Sequence, residues 1–333
     1  MSDTENQTSP TMNRRRIIGS GALALAAIGV SVGFTNRERL VDDDGRLGVT
    51  CTVGMITDVA RNIGGDAADV TGLMGPGIDP HLYKPSAGDI VRLGDAELIL
   101  YGGLHLEGRM TETFDRIDDK PTVAVSEAIP EDQRIVVGDG PSWDPHVWFD
   151  VTLWRIAAER MLEAMSDAAP SHAETFAANA EPYLERMGRL DKWVVEQVER
   201  VPEEQRVLIT AHDAFGYFGK RYGFEVRGLQ GLSTVSEAGT RDVQQLVDFI
   251  VERQIRAMFI ESSVPPSAIE AVQAACEARG WTVDIGGELF ADAMGEAGTR
   301  EGTYFGMVTH NVSTIVDALL GEQDPLARTQ EFV

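Results

Sequence analysis

The chain has 333 residues, 43% of them hydrophobic, and its 53 Asp and Glu against 29 Lys and Arg give a formal net charge of −24. That length suits two packed domains of about 100–200 residues each, and the apolar fraction excludes a wholly disordered acidic chain. The acidic residues are spread along the sequence with no basic stripe among them, which argues against nucleic acid as a partner; the excess reads either as attraction of cations or, the preferred reading, as a surface suited to high salt, where self-repulsion is screened.

Residues 1–12 are polar and are expected to be a disordered tail. Arg14-Arg15-Arg16 then precede an apolar run from position 17 to position 34. A basic head before an apolar stretch is an export signal, and the arginine pair suggests the twin-arginine type. The run is also long enough for a bilayer anchor, which needs about 17–25 residues. Cleaved signal and retained anchor both stay open for residues 1–45. In either case the remainder is expected outside the cytoplasmic membrane, at a cell surface or in a periplasm-like space.

From residue 46 onward, short β-branched-rich runs alternate with helical patterns twice over. The first four strand-like runs are 48–53, 68–73, 97–101 and 122–125, and the second four are 207–210, 224–229, 257–260 and 282–285. Helical segments between them include 89–94, 240–253 and 267–279. Such alternation predicts βαβ units with parallel sheets covered on both faces. The expected fold class is therefore α/β, with two lobes, each a four-stranded parallel sheet flanked by helices.

Between the two groups, Phe176, Ala180, Tyr183, Leu184, Met187, Leu190, Val194 and Val198 recur at steps of three and four. That spacing predicts one long helix over 171–200, joining the lobes as a stiff connector. Pro182 lies inside it, and a kink or break is expected there. The resulting boundaries are 46–168 for the first lobe, 169–202 for the linking helix and 203–333 for the second lobe. Cys51 and Cys276 lack the paired spacing of a zinc knuckle and are expected to be buried free thiols.

The chemistry sits at strand ends. Asp79-Pro80-His81-Leu82-Tyr83 recurs as Asp144-Pro145-His146-Val147-Trp148. The proline stiffens the backbone, and the Asp lies close enough to orient or charge-balance the imidazole of a metal ligand. His212 follows the apolar run 207–211, and Asp292 follows the last strand. His81, His146, His212 and Asp292 all fall beyond the carboxyl ends of strands, where open α/β sheets bind ligands. For Asp292 alone the competing reading is a helix N-cap. Three imidazoles and one carboxylate suit zinc, manganese or ferrous iron, and the lack of sulfur argues against copper(I). Affinity order favours zinc over manganese, but a bidentate Asp292 would favour manganese. Glu261 ends the third strand of the second group and suits either a bond to a ligand imidazole or a salt bridge within its lobe. His105, His172 and His310 are assigned to surface or packing roles, and Tyr83 and Trp148 to the core or the site wall.

At these motifs the chain resembles the TroA-like solute-binding proteins of ATP-driven zinc and manganese importers. The resemblance is carried by Gly77-Ile78-Asp79-Pro80-His81-Leu82-Tyr83-Lys84-Pro85, Leu100-Tyr101-Gly102-Gly103-Leu104-His105-Leu106-Glu107, and Trp143-Asp144-Pro145-His146-Val147-Trp148-Phe149-Asp150. It continues in Thr210-Ala211-His212-Asp213-Ala214-Phe215-Gly216-Tyr217-Phe218, Gly228-Leu229-Gln230-Gly231-Leu232-Ser233-Thr234, Phe259-Ile260-Glu261-Ser262-Ser263-Val264 and Leu289-Phe290-Ala291-Asp292-Ala293-Met294-Gly295. It implies two lobes on one long helix, metal between them, and His81, His146, His212 and Asp292 as ligands. It also implies a membrane permease and a cytoplasmic ATPase as partners, with the chain expected as a monomer. Some manganese binders of the family carry Glu at the third position, whereas this chain has His212. Zinc-specialised members often carry a His-rich loop before the second Asp-Pro-His. Residues 126–142 hold no His, which tilts the expectation toward manganese or broad specificity. Two alternatives come with this reading. A secreted zinc hydrolase would need an open coordination position and a general base, and no His-Glu-x-x-His pattern exists. A surface adhesin of the same fold is the other.

Overall fold

A computed structural model describes residues 45–138 and 142–321. The export or anchor segment lies outside the described residues. Among these residues no helix is long and apolar enough to cross a membrane.

The first half is built on β1 (Leu47–Cys51), α1 (Gly54–Gly64), β2 (Ala68–Gly72), α2 (Ala87–Asp95), β3 (Leu98–Tyr101), α3 (Thr111–Phe114) and β4 (Thr122–Ala124). All four strands pair in parallel, in the order β2-β1-β3-β4. The short connection between them places α1 against β1 and β2, where Met55, Ile56, Val59, Ala60 and Ile63 are buried. A small antiparallel hairpin, β5 (Val136–Val137) and β6 (Ser142–Trp143), leads to the second Asp-Pro-His.

Two helices then run back to back, α4 (Val151–Ala168) and α5 (Ala173–Val198). Asp150 caps α4, accepting hydrogen bonds from the amides of Thr152 and Leu153. The 26 residues of α5 span about 39 Å at ~1.5 Å per residue. It is no bare strut, because it packs along α1, α4 and the final helix, and Trp193 joins the buried stripe expected from its spacing. The expected break at Pro182 does not occur. Pro182 and Ala178, whose carbonyl would have received the missing N–H, are both exposed, so water can satisfy that carbonyl. The opposite face holds the helix through buried Phe176, Ala180, Tyr183 and Met187.

The second half comprises β7 (Val207–His212), α6 (Gly216–Tyr222), β8 (Glu225–Gln230), α7 (Thr240–Arg253), β9 (Ala257–Glu261), α8 (Ser267–Ala278), β10 (Asp284–Leu289) and α9 (Tyr304–Leu320). The expected four-stranded sheet appears as two parallel pairs, β7 with β8 and β9 with β10. β7 and β9 run alongside one another without a backbone ladder. The last strand also runs further than its apolar pattern indicates. Gly286-Gly287 reads as a strand terminator, yet the chain bulges there and pairing resumes at Glu288. A Cβ on Gly286 would lie 2.7 Å from Ala318 and 2.8 Å from the Phe259 ring, so glycine lets α9 pack directly on the strand.

Alternation along β7 divides the core. Val207, Ile209 and Ala211 face a cluster formed within the second half, with Leu246, Ile250 and Val272. Leu208 faces a larger cluster shared with the first half, with Phe149, Met187, Phe215 and Tyr304. The two halves are therefore joined by packed side chains as well as by α5. Both cysteines are buried and free.

Pro182→Ala restores a backbone donor on the exposed face of α5. An interior proline costs about 3 kcal/mol, offset by ~1 kcal/mol of unfolded-chain entropy that proline removes. The variant is expected to gain roughly 1–2 kcal/mol in urea unfolding; an unchanged or lower midpoint would contradict a continuous helix.

Candidate metal centre

Each of the four side chains singled out in the sequence leaves a different strand end or turn. His212 is the last residue of β7, and Asp292 lies three residues beyond β10. His146 precedes a single helical turn, Val147–Phe149, and His81 sits in the irregular stretch between β2 and α2. One donor atom from each lies within 4.8 Å of all the others, and all four residues are buried.

Asp292 is the hub. Its Oδ1 lies 3.3 Å from His146 Nε2, and its Oδ2 lies 3.5 Å from His81 Nε2 and 3.2 Å from His212 Nε2. His81 Nε2 and His146 Nε2 are 3.3 Å apart. A shell of donors at about 2.1 Å from a common ion, tetrahedrally placed, has neighbours about 3.4 Å apart. Neither Asp292 oxygen nor His212 Nε2 has a hydrogen-bond partner, although all three atoms are buried. Buried polar atoms are normally satisfied, so three orphans aimed at one point form a cradle for a cation. The N-cap reading of Asp292 does not hold: its carboxylate bonds to no backbone amide.

The outer nitrogens set the tautomers. Asp144 Oδ1 accepts from His146 Nδ1 at 2.7 Å and from the His146 amide at 2.9 Å. Glu261 Oε2 accepts from His212 Nδ1 at 2.5 Å, and its Oε1 accepts from the His212 amide at 2.9 Å. Each carboxylate thus leaves Nε2 facing the centre. Of the two roles open to Glu261, the structure selects the bond to an imidazole, and the same bond ties β9 to β7 where the ladder is missing. Gly216 makes room for Asp144, since a Cβ there would lie 2.7 Å from Asp144 Oδ2.

Charge follows this arrangement. Burial opposes a charge on His146, but Asp144 and Asp292 outweigh it and raise its pKa to about 9. Burial is likewise outweighed at His212 by Glu261 and Asp292, which hold it well above the ordinary histidine value. Burial also works against ionised Asp292, yet His212 and His146 keep it well below the usual carboxylate range. At His81 burial dominates; Asp292 opposes it, the other two imidazoles reinforce it, and the pKa falls to about 4. Asp292 thus stays ionised only because positive charge reaches it from the imidazole side, the place a divalent cation would occupy.

Residues 49–318 match the family described as ZnuA, zinc-uptake complex component A, periplasmic. The chain belongs to the ZnuA family. It is 52% identical over 277 residues to the manganese-binding lipoprotein MntA of Bacillus subtilis, covering 83% of this chain and 90% of that one. It is 50% identical over 296 residues to the zinc-binding protein TroA of Treponema pallidum, covering 88% and 96%. The solved structure of the periplasmic zinc-binding TroA from the same organism superposes with a TM-score of 0.81 at 51% identity, covering 83% of this chain and 99% of that one.

On this ZnuA-family frame, other residues anticipated from sequence fall into supporting places. Trp148 is buried and donates from Nε1 to the Ala291 carbonyl at 3.0 Å, tying the chain after His146 to the chain before Asp292. Asn311 on α9, which the sequence did not single out, accepts from the Phe290 amide at 2.9 Å and donates to the Phe290 carbonyl at 2.7 Å. Its only signal was a polar side chain on an otherwise buried helix. Tyr83 stands apart, its hydroxyl donating to Asp89 at the start of α2. His172 and His310 bond to the carbonyls of Gly45 and Glu288, and His105 is exposed.

Glu261→Gln removes the negative partner of the His212 imidazole. Such orienting groups are worth about 10–100-fold in metal affinity. Calorimetric titration with Zn²⁺ is expected to show a loss of that order, and wild-type affinity would contradict the role given to Glu261.

Proposed function

We propose that this protein is the extracytoplasmic solute-binding subunit of an ABC importer for a divalent transition metal. In this reading His81, His146, His212 and Asp292 are the ligands, and the ion is held between the two halves until a membrane permease accepts it. A cytoplasmic ATPase would drive the transfer. The observation that carries the reading is the group of orphaned acceptors on Asp292 and His212, buried and converging with two further imidazoles. Membership of the ZnuA family, and relatives named for manganese and zinc binding, point the same way.

The donor set supports manganese or zinc as cargo. Nitrogen and oxygen donors suit both, and affinity order alone favours zinc. Both oxygens of Asp292 face imidazoles of the cluster, so the carboxylate can supply two donors. A fifth donor helps manganese, which prefers more oxygen-rich and higher coordination than tetrahedral zinc. The two relatives, near-equal in identity, carry names for different metals, and this chain has the features of a protein that accepts both.

A hydrolase needs an open coordination position and a free general base. Here two outer carboxylates, Asp144 and Glu261, are engaged by imidazoles, and the centre is buried. The subunit is proposed to act as a monomer, with lobes at 46–168 and 203–333. Residues 1–45 would export it or hold it at the membrane.

Equilibrium dialysis followed by elemental analysis tests the ligand assignment. Purified protein is expected to retain about one equivalent of manganese or zinc. A His81→Ala, His212→Ala double variant, folded by circular dichroism, is expected to retain none. Equal metal content in the two proteins would refute the assignment.

A further inference from the structure

Three of the four proposed ligands are fixed by elements around them. His146 and His212 have carboxylates on their outer ring nitrogens, and the Asp292 segment is pinned by Trp148 and Asn311. His81 differs. It comes from a stretch without regular secondary structure, residues 73–86, and among the described residues no carboxylate reaches its outer nitrogen. The two Asp-Pro-His repeats share a backbone turn, because Asp79 Oδ1 accepts from the His81 amide at 2.8 Å as Asp144 does from His146. Asp79 then departs from the pattern. Its Oδ2 turns away from its own imidazole and accepts from Thr234 Oγ1 at 2.5 Å, 155 residues further along the chain.

Thr234 belongs to another irregular stretch, residues 231–239, between β8 and α7. The bond therefore joins two irregular segments, one from each half. It lies at a rim. Ile78, Leu82 and Val235, neighbours in sequence of Asp79, His81 and Thr234, are 40%, 41% and 55% exposed, whereas His81 is 4% exposed. Beside it the two halves approach closely again, since a Cβ on Gly77 would meet the Ser262 carbonyl at 3.5 Å.

We propose that the Thr234–Asp79 hydrogen bond is a latch that holds His81 on the bound ion, and that Thr234 is a positioning residue governing metal release. This rests on the metal-binding reading above. Breaking the bond costs one contact and leaves the Asp79–His81 turn intact. The turn between Met74, whose amide is held by the Thr52 carbonyl, and Tyr83, which is held by Asp89, can then shift and withdraw one ligand of four, while the other three stay fixed. Loss of the first ligand opens the shell to water and to competing donors. A hydrogen bond to a charged acceptor corresponds to about 10–100-fold in an equilibrium or rate. That factor should appear in dissociation, because the bond restrains the loss of a ligand already on the ion.

The test is a stopped-flow chelator chase on the full chain loaded with Zn²⁺. Thr234→Val is expected to speed release by about 10–100-fold with the association rate changed less than about threefold. Thr234→Ser, which keeps the hydroxyl, is expected to release at the wild-type rate. Ser233→Ala, a neighbour outside the latch, is expected to do the same. Release from Thr234→Val at the wild-type rate, or equal acceleration in all three variants, would overturn the latch while leaving metal binding intact. A wild-type protein that retains no Zn²⁺ before the chase would overturn the metal-binding reading itself.

Discussion

A carboxylate sealed from water without a hydrogen-bond donor is unstable unless positive charge reaches it, and Asp292 is in that position. The geometry around the centre answers this constraint. Three imidazoles turn their Nε2 atoms toward Asp292, and two of them are held in that orientation by outer carboxylates. Each outer carboxylate also accepts a backbone amide, so the same atoms that set the tautomer fix the main chain at strand or turn ends. A cation of charge two at the centre would balance Asp292 and leave the imidazoles neutral. Fold and site thus solve one electrostatic problem together.

The arrangement depends on the halves being held rigidly. The helix α5 contributes by lying against α1, α4 and α9 instead of standing free. A core cluster crosses from the first sheet through these helices to Phe215, Phe259 and Tyr304 in the second half. Large hinge motions would tear that cluster. Small movements of irregular segments at the rim cost far less, and for that reason the Asp79–Thr234 bond is given the gating role.

Much of this was legible in the sequence because the relevant signals are local. Alternating β-branched runs marked the strands, the three-and-four spacing marked α5, and the repeated Asp-Pro-His marked two imidazoles in one backbone frame. What the sequence did not carry is tertiary. The two Asp residues of the repeats make the same turn, yet Asp144 holds its imidazole and Asp79 reaches Thr234, a difference set by what lies across the interface. Gly286-Gly287 looked like a terminator because a missing side chain is ambiguous between a turn and a close approach; Ala318 and Phe259 decide it. Pro182 looked like a break because the sequence does not say that Ala178 faces water. Glu261 was open between two roles until the missing β7–β9 ladder placed it beside His212.

The central claim is that one ion sits where these four side chains converge. Anomalous diffraction from crystals of the protein loaded with manganese, recorded on both sides of the metal absorption edge, tests it most directly. The account predicts a single strong peak about 2.0–2.3 Å from His81, His146 and His212 Nε2 and from Asp292 carboxylate oxygen. A peak elsewhere, or bound metal that leaves any of the four outside its shell, would contradict it.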